Sequence, residues 1–156
     1  MVSSLNDSRG RFSSNCVPMN ASPTKPNAAA APCPCESGKP YARCCGPYLD
    51  TDTPAPTAEA LMRSRYTAYA LGREAYILAT WNPSTRPRDL ALAVDQKWLG
   101  LSVKAASVDP LSPDRATVEF VARYRIDGRG HRMHERSRFV REAGRWLYVD
   151  GEQVRA

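Results

Sequence analysis

Four cysteines within thirteen residues constrain this chain more than any other feature: Cys33, Cys35, Cys44 and Cys45, ordered Cys-x-Cys, eight residues, Cys-Cys. Two close-spaced thiol pairs joined by a turn can set four soft sulfurs at the corners of a tetrahedron around one metal ion, with little chain to order. The turn is Glu36-Ser37-Gly38-Lys39-Pro40, in which Gly38 permits a positive φ and Pro40 stiffens the exit toward the second pair. Lys39 and Arg43 flank the thiols and offset the net negative charge that a divalent ion with four thiolates carries. The ligand types fit zinc or iron, and a lone tetrathiolate in a structural setting makes zinc the default, one ion per chain. Four thiolates leave no open coordination position for water, so the expected role is structural rather than catalytic. Disulfides are the competing account. No secretory signal accompanies them, however, and the vicinal Cys44-Cys45 pair could bridge only through a strained ring.

The stretch from Pro32 to Gly46, with its Cys-Pro-Cys-Glu-Ser-Gly-Lys-Pro-Tyr core and closing Cys44-Cys45, resembles the SEC-C motif, the zinc-binding tail of the SecA translocase motor. In many copies of that motif the last ligand is histidine, and Cys45 stands in its place. In SecA the motif contacts the chaperone SecB, so the resemblance implies a protein-binding role, here through the expected exposed residues Lys39, Tyr41 and Arg43.

The rest of the chain has room for one further domain. Of 156 residues, 42% are hydrophobic, with three Trp, seven Tyr and three Phe, enough for a real core. No apolar run approaches the roughly 18 residues of a membrane span, so no membrane association is expected. Residues 1–31 are rich in Ser, Asn, Pro and Ala without periodic apolar positions, which predicts a disordered tail. They show no continuous apolar segment of a signal peptide, which predicts a cytoplasmic protein. The expected order is then the metal knuckle over 32–48, a proline-stiffened linker over 49–56, and a folded domain over 57–156.

Within that domain the period changes partway. Ala58, Leu61, Met62, Tyr66 and Tyr69 recur at three and four residues behind the capping residue Thr57, predicting a helix to about Leu71 that Gly72 ends. Further helices are predicted from Arg73 to Trp81 and from about Asp89 to Trp98. Alternation follows: Leu101, Val103 and Ala105, then Val118, Phe120, Ala122, Tyr124 and Ile126, with turn signals at Asp127-Gly128 and Ala143-Gly144. Helices followed by about four antiparallel strands give an α+β fold in which a curved sheet wraps three helices.

That order is similar to the cone of the nuclear-transport-factor-two-like superfamily. More closely, Ala60 to Tyr69, Thr80 to Pro87 and His134 to Glu142 resemble the YchJ family, whose members join a SEC-C motif to such a domain. The resemblance implies a fold and a metal and assigns no activity.

One position breaks the apolar pattern. Arg65 falls near the middle of the first helix's apolar stripe, where a charge needs a partner. Glu135 shares strand parity with Met133, Ser137 and Phe139 and is the expected carboxylate. With Tyr66, Tyr124 and Trp81 the pair would make an aromatic pocket holding one ionic centre. A buried ion pair that simply fixes helix to sheet is the plainer alternative. His134 and Asp150 lie on different strands with no spacing that brings them together, and no catalytic residue is assigned.

The net charge is +6, with arginines crowding the hairpin, and Arg132, His134, Arg136 and Arg138 share one strand face. Such a face could meet an acidic protein or nucleic acid, but no aromatic platform is interleaved with the cations, which weakens the nucleic-acid reading. Two functions of different kinds remain. The leading expectation is a non-enzymatic adaptor, whose knuckle binds a protein while the cone supplies a second surface or a homodimer interface. The second is a small-molecule-binding or enzymatic cone centred on Arg65 and Glu135.

Overall fold

The computed structural model of the protein describes residues 31–155, so the tail expected over 1–31 lies almost wholly outside the described residues. A single 3-10 turn, Tyr41–Arg43, and a short helix α1, Gly46–Asp50, close the cysteine-rich segment. Helix α2 follows at Ala58–Leu71 and helix α3 at Glu74–Ala79. Strands β1 (Lys97–Asp109), β2 (Ser112–Ile126), β3 (Arg129–Glu142) and β4 (Arg145–Gln153) form one antiparallel meander in the order β1-β2-β3-β4. None of the helices is long and apolar enough to cross a membrane.

Both ends of α2 are set by local chemistry. The Thr57 hydroxyl accepts the Ala60 N–H at 3.0 Å, satisfying one of the unpaired amides of the first turn. Gly72 takes the left-handed conformation, φ 70°, and its N–H bonds back to Ala68 and Tyr69 carbonyls. Leu61, Met62 and Tyr66 pack against the concave face of the sheet, where Leu101, Val118, Phe120, Ala122 and Phe139 are buried. Register irregularities at Trp98/Gly100, Val103/Ala105 and Arg138/Phe139 interrupt strands of up to 15 residues. Such bulges bend a sheet, and α2 here touches β1, β2 and β4.

The α+β class and the four antiparallel strands stand as read from sequence, and the helices number three. Their placement differs. No helix forms over 89–98; Trp98 belongs to β1, and Leu90, Leu92 and Val94 lie in a segment with neither helix nor strand. Val94 is fully exposed, and without a surface to cover its apolar side an isolated short helix does not persist. The third helix is α1, inside the stretch read as knuckle and linker. The helix expected from Arg73 to Trp81 is shorter, because Trp81 leaves it to bridge Tyr148 of β4 in parallel.

Candidate metal centre and cavity

The cysteine segment folds through local bonds. The Cys33 N–H donates to the Lys39 carbonyl at 3.0 Å and the Glu36 N–H to the Cys33 carbonyl at 3.1 Å, around a turn in which Glu36 (φ 58°) and Gly38 (φ 84°) are left-handed. The Cys44 N–H closes on the Tyr41 carbonyl at 3.1 Å. The result gathers all four Sγ atoms within 4.8 Å of one another, none in a disulfide. Cys35 and Cys44 sulfurs are 3.5 Å apart and those of Cys44 and Cys45 3.9 Å. A tetrahedral ion with metal–sulfur bonds of about 2.3 Å sets its sulfurs about 3.8 Å apart, so this donor set fits a four-coordinate metal.

The sulfurs do not ionise independently. Hydrogen bonds with Cys35 and Cys45 lower Cys33, those with Cys33 and Cys35 raise Cys45, and burial raises Cys44. Four adjacent thiols can all become thiolates only with a cation among them.

Three further side chains that sequence reading passed over hold this cluster. Thr67, fully buried on α2, donates its hydroxyl to Cys45 Sγ at 3.3 Å and lies 3.7 Å from Cys33 Sγ. The Ser37 hydroxyl lies 3.0 Å from Cys44 Sγ. Arg63 Nη1 donates to the Cys35 carbonyl at 3.1 Å; burial opposes its charge, but Cys35 and Glu59 beside it raise its pKa. Ser37 falls in the turn and could have been suspected, whereas Thr67 and Arg63 are brought in only by the packing of α2.

The knuckle is therefore docked on the domain. Cys33, Cys35 and Cys45 are 4%, 0% and 1% exposed and belong to the same apolar cluster as Leu61 and Tyr66. The Glu36 carboxylate lies over Gly100 of β1, where an added Cβ would come within 2.9 Å of it. Of the residues expected to meet a partner, Lys39 and Arg43 are exposed beside Cys44 in a shallow groove that also includes Arg63 and Glu59. Tyr41 is not exposed as expected. Its ring packs against Gly46 and the core cluster, its hydroxyl is sealed without a hydrogen-bond partner, and burial, then Asp50, pushes its pKa up to about 12.

On the other side of α2 the concave sheet encloses a cavity of about 300 Å³. Arg65, Tyr66, Trp81 and Glu135 line it, as do Tyr69, Trp98 and Tyr148. Tyr124 does not line it: its ring stacks on His131 at 5.1 Å and packs against Trp98 at 5.3 Å. Arg65 and Glu135 share the cavity but form no direct ion pair. Arg65 Nη1 donates instead to the Ile77 carbonyl and the Thr80 hydroxyl, both at 2.7 Å. Its guanidinium lies over the rings of Trp81 (5.0 Å) and Tyr148 (4.5 Å). The Ile77 carbonyl near the end of α3, the Thr80 hydroxyl and two π-faces hold the cation, and Tyr148 touches both it and the carboxylate.

Glu135 is positioned separately. Its Oε1 accepts the Ser137 hydroxyl at 2.8 Å and the Tyr148 hydroxyl at 3.3 Å, while Oε2 receives Gln153 Nε2 at 3.5 Å. Gly151 makes room for it, since a Cβ there would fall 2.0 Å from Glu135 Oε1. Sequence parity put Glu135 on the inner face; nothing local revealed the niche at Gly151.

The convex face is less positive than its arginines imply. Arg136 pairs with Glu119 (3.2 Å) and Glu152 (3.4 Å), and Arg138 with Asp150. His134 Nε2 lies 2.8 Å from Glu119 Oε1, so His134 and Asp150 are each engaged elsewhere.

Comparison with known proteins agrees with this division. Residues 31–47 match the SEC-C motif and residues 57–151 match the YchJ middle NTF2-like domain. The chain is 55% identical over 134 residues to a UPF0225 protein of Polaromonas naphthalenivorans, covering 78% of this chain and 97% of that one. It is 57% identical over 127 residues to one of Chromobacterium violaceum, covering 79% and 93%. Among solved structures, a SEC-C motif containing protein from Rhodopseudomonas palustris superposes with a TM-score of 0.70 at 42% identity, covering 79% of this chain and 98% of that one. One from Psychrobacter arcticus gives 0.66 at 30% identity, covering 82% and 85%.

Proposed function

We propose that this chain, which belongs to the YchJ family, is a small-molecule-binding cone whose helix–sheet core is stapled by one structural zinc. The observation that carries the reading is the cavity: about 300 Å³, walled by aromatic rings, with a buried cation and a carboxylate converging on it and no direct bond between them. A protein that needed Arg65 and Glu135 only to pin helix to sheet would pair them.

Zinc is the ion best suited to four thiolates at these spacings, and Cys33, Cys35, Cys44 and Cys45 would hold it with no position left for water. Its chemistry there is to neutralise the sulfurs and fix the knuckle. Four free thiols point to a reducing compartment, in keeping with a cytoplasmic location. Among the described residues no histidine or cysteine lines the cavity, and its one serine hydroxyl, on Ser137, is spent in positioning Glu135, so binding rather than turnover is the activity proposed.

A second reading, an adaptor that docks a protein partner on the knuckle, draws on the exposed cations Lys39 and Arg43 beside Cys44. A thermal-shift screen of metabolites on the full-length protein separates the two. The cavity reading expects stabilising compounds whose effect disappears in Ala122→Phe, which fills the cavity from its floor. If no compound stabilises the protein, and a partner is captured by wild type but not by Lys39→Glu/Arg43→Glu, the adaptor reading replaces it.

A further inference from the structure

Arg65 is 3% exposed, yet among the described residues no carboxylate touches it. Its Nη1 is engaged by Ile77 and Thr80, while its Nη2 and Nε make no hydrogen bond among the described residues. A buried guanidinium held by one carbonyl, one hydroxyl and two π-faces still lacks a counter-charge, and its remaining N–H groups form the fork that suits a carboxylate. Burial accordingly lowers the Arg65 pKa. Glu135 presents the converse. Its Oε1 is taken by Ser137 and Tyr148, but Oε2 has only the long 3.5 Å contact from Gln153 and can accept a further donor.

The two charges are held apart at a fixed spacing. Arg65 lies 4.5 Å from the Tyr148 ring centroid, and Glu135 bonds the hydroxyl of that same ring. The cavity therefore offers a buried positive group and a half-buried negative group, each in contact with the Tyr148 ring and not bonded to the other. Trp98, braced by Tyr66 at 5.4 Å and Tyr69 at 5.8 Å, supplies a flat apolar wall. A volume of about 300 Å³ suits a one-ring molecule.

We propose that the cavity binds a small zwitterion built on a single flat ring or ring-sized apolar body, its carboxylate on Arg65 and its ammonium on Glu135. This rests on the cavity reading above and deepens it. A neutral ligand would leave both protein charges uncompensated, and a purely anionic or cationic one would satisfy one end and oppose the other.

The test uses three rigid probes on the full-length, metal-loaded protein: 4-(aminomethyl)benzoate, which carries both charges across a benzene ring, 4-methylbenzoate and benzylamine. Calorimetric titration is expected to show the zwitterion binding at least about tenfold more tightly than either singly charged probe. In Glu135→Gln, which keeps the side chain's shape and its bonds to Ser137 and Tyr148, the advantage over 4-methylbenzoate should vanish while 4-methylbenzoate itself binds at least as tightly as before, relieved of the opposing carboxylate. Equal affinity for the three probes, or an advantage that survives Glu135→Gln, overturns the proposal. So does binding by none of them. If the metabolite screen still yields compounds lost in Ala122→Phe, the zwitterion is wrong and the cavity reading stands; if it yields none, both fall. Should Glu135→Gln not fold, the three-probe comparison on wild type decides alone.

Discussion

Thr67 shows how much one side chain can do outside the metal's own ligands. Its hydroxyl donates to Cys45 Sγ and approaches Cys33 Sγ from a fully buried position on α2. Neighbours of this kind orient ligands and damp their charge, and losing one typically costs about 10- to 100-fold in metal affinity. Thr67→Val, which keeps the volume and removes the hydroxyl, is expected to weaken metal binding by roughly tenfold or more in competition with a chromophoric chelator, and Thr67→Ser to restore most of it. Wild-type affinity in the valine variant would reduce Thr67 to a space-filler. The cysteines themselves were legible because ligand type and spacing are local properties. Thr67 was not, since a threonine inside a helix gives no sign of which neighbour its hydroxyl meets.

At the level of elements, periodicity carried most of the fold. The three- and four-residue recurrence gave α2, capped by Thr57 and ended by Gly72, and strict alternation gave β2 and β3 with Phe120 and Phe139 inward. It failed over 89–98, where apolar residues at helical spacing have no surface to pack on, and it saw α2 as one-sided. Ser64 and Thr67 are both fully buried because α3 and the knuckle cover the flanks that looked polar. Two of the three hairpins invite a direct comparison. Asp127-Gly128 (φ 50° and 76°) and Ala143-Gly144 (φ 50° and 77°) adopt the same left-handed pair of conformations, but alanine tolerates it poorly. Ala143→Asn should raise stability by about 1 kcal/mol, seen as a higher denaturation midpoint with unchanged slope. A midpoint that stays put would mean that the turn relaxes in solution.

For the whole molecule, the knuckle's burial matters more than its presence. Sequence reading separated it from the domain by a linker, because nothing in 49–56 indicates that the chain folds back. In the structure the ligands sit in the same core as Leu61, Tyr66 and Phe120. Chelation should therefore weaken the entire domain rather than fray its front. The expected loss is about 3 kcal/mol or more, the linkage for free metal at a hundred times its dissociation constant. The reporters are Trp81 and Trp98, which line the cavity, and both should melt in one transition at lower temperature. Release of metal with their signals unchanged would show the knuckle to be an independent unit.

Helix α2 is a partition with a different environment on each side: Thr67 faces the sulfurs, and Arg65, two residues earlier, faces the aromatic chamber. A rigid rod cannot tilt on one side alone. If a solute that clamps Arg65 also steadies Thr67, thermodynamic reciprocity obliges the ion and the solute to help each other by the same factor.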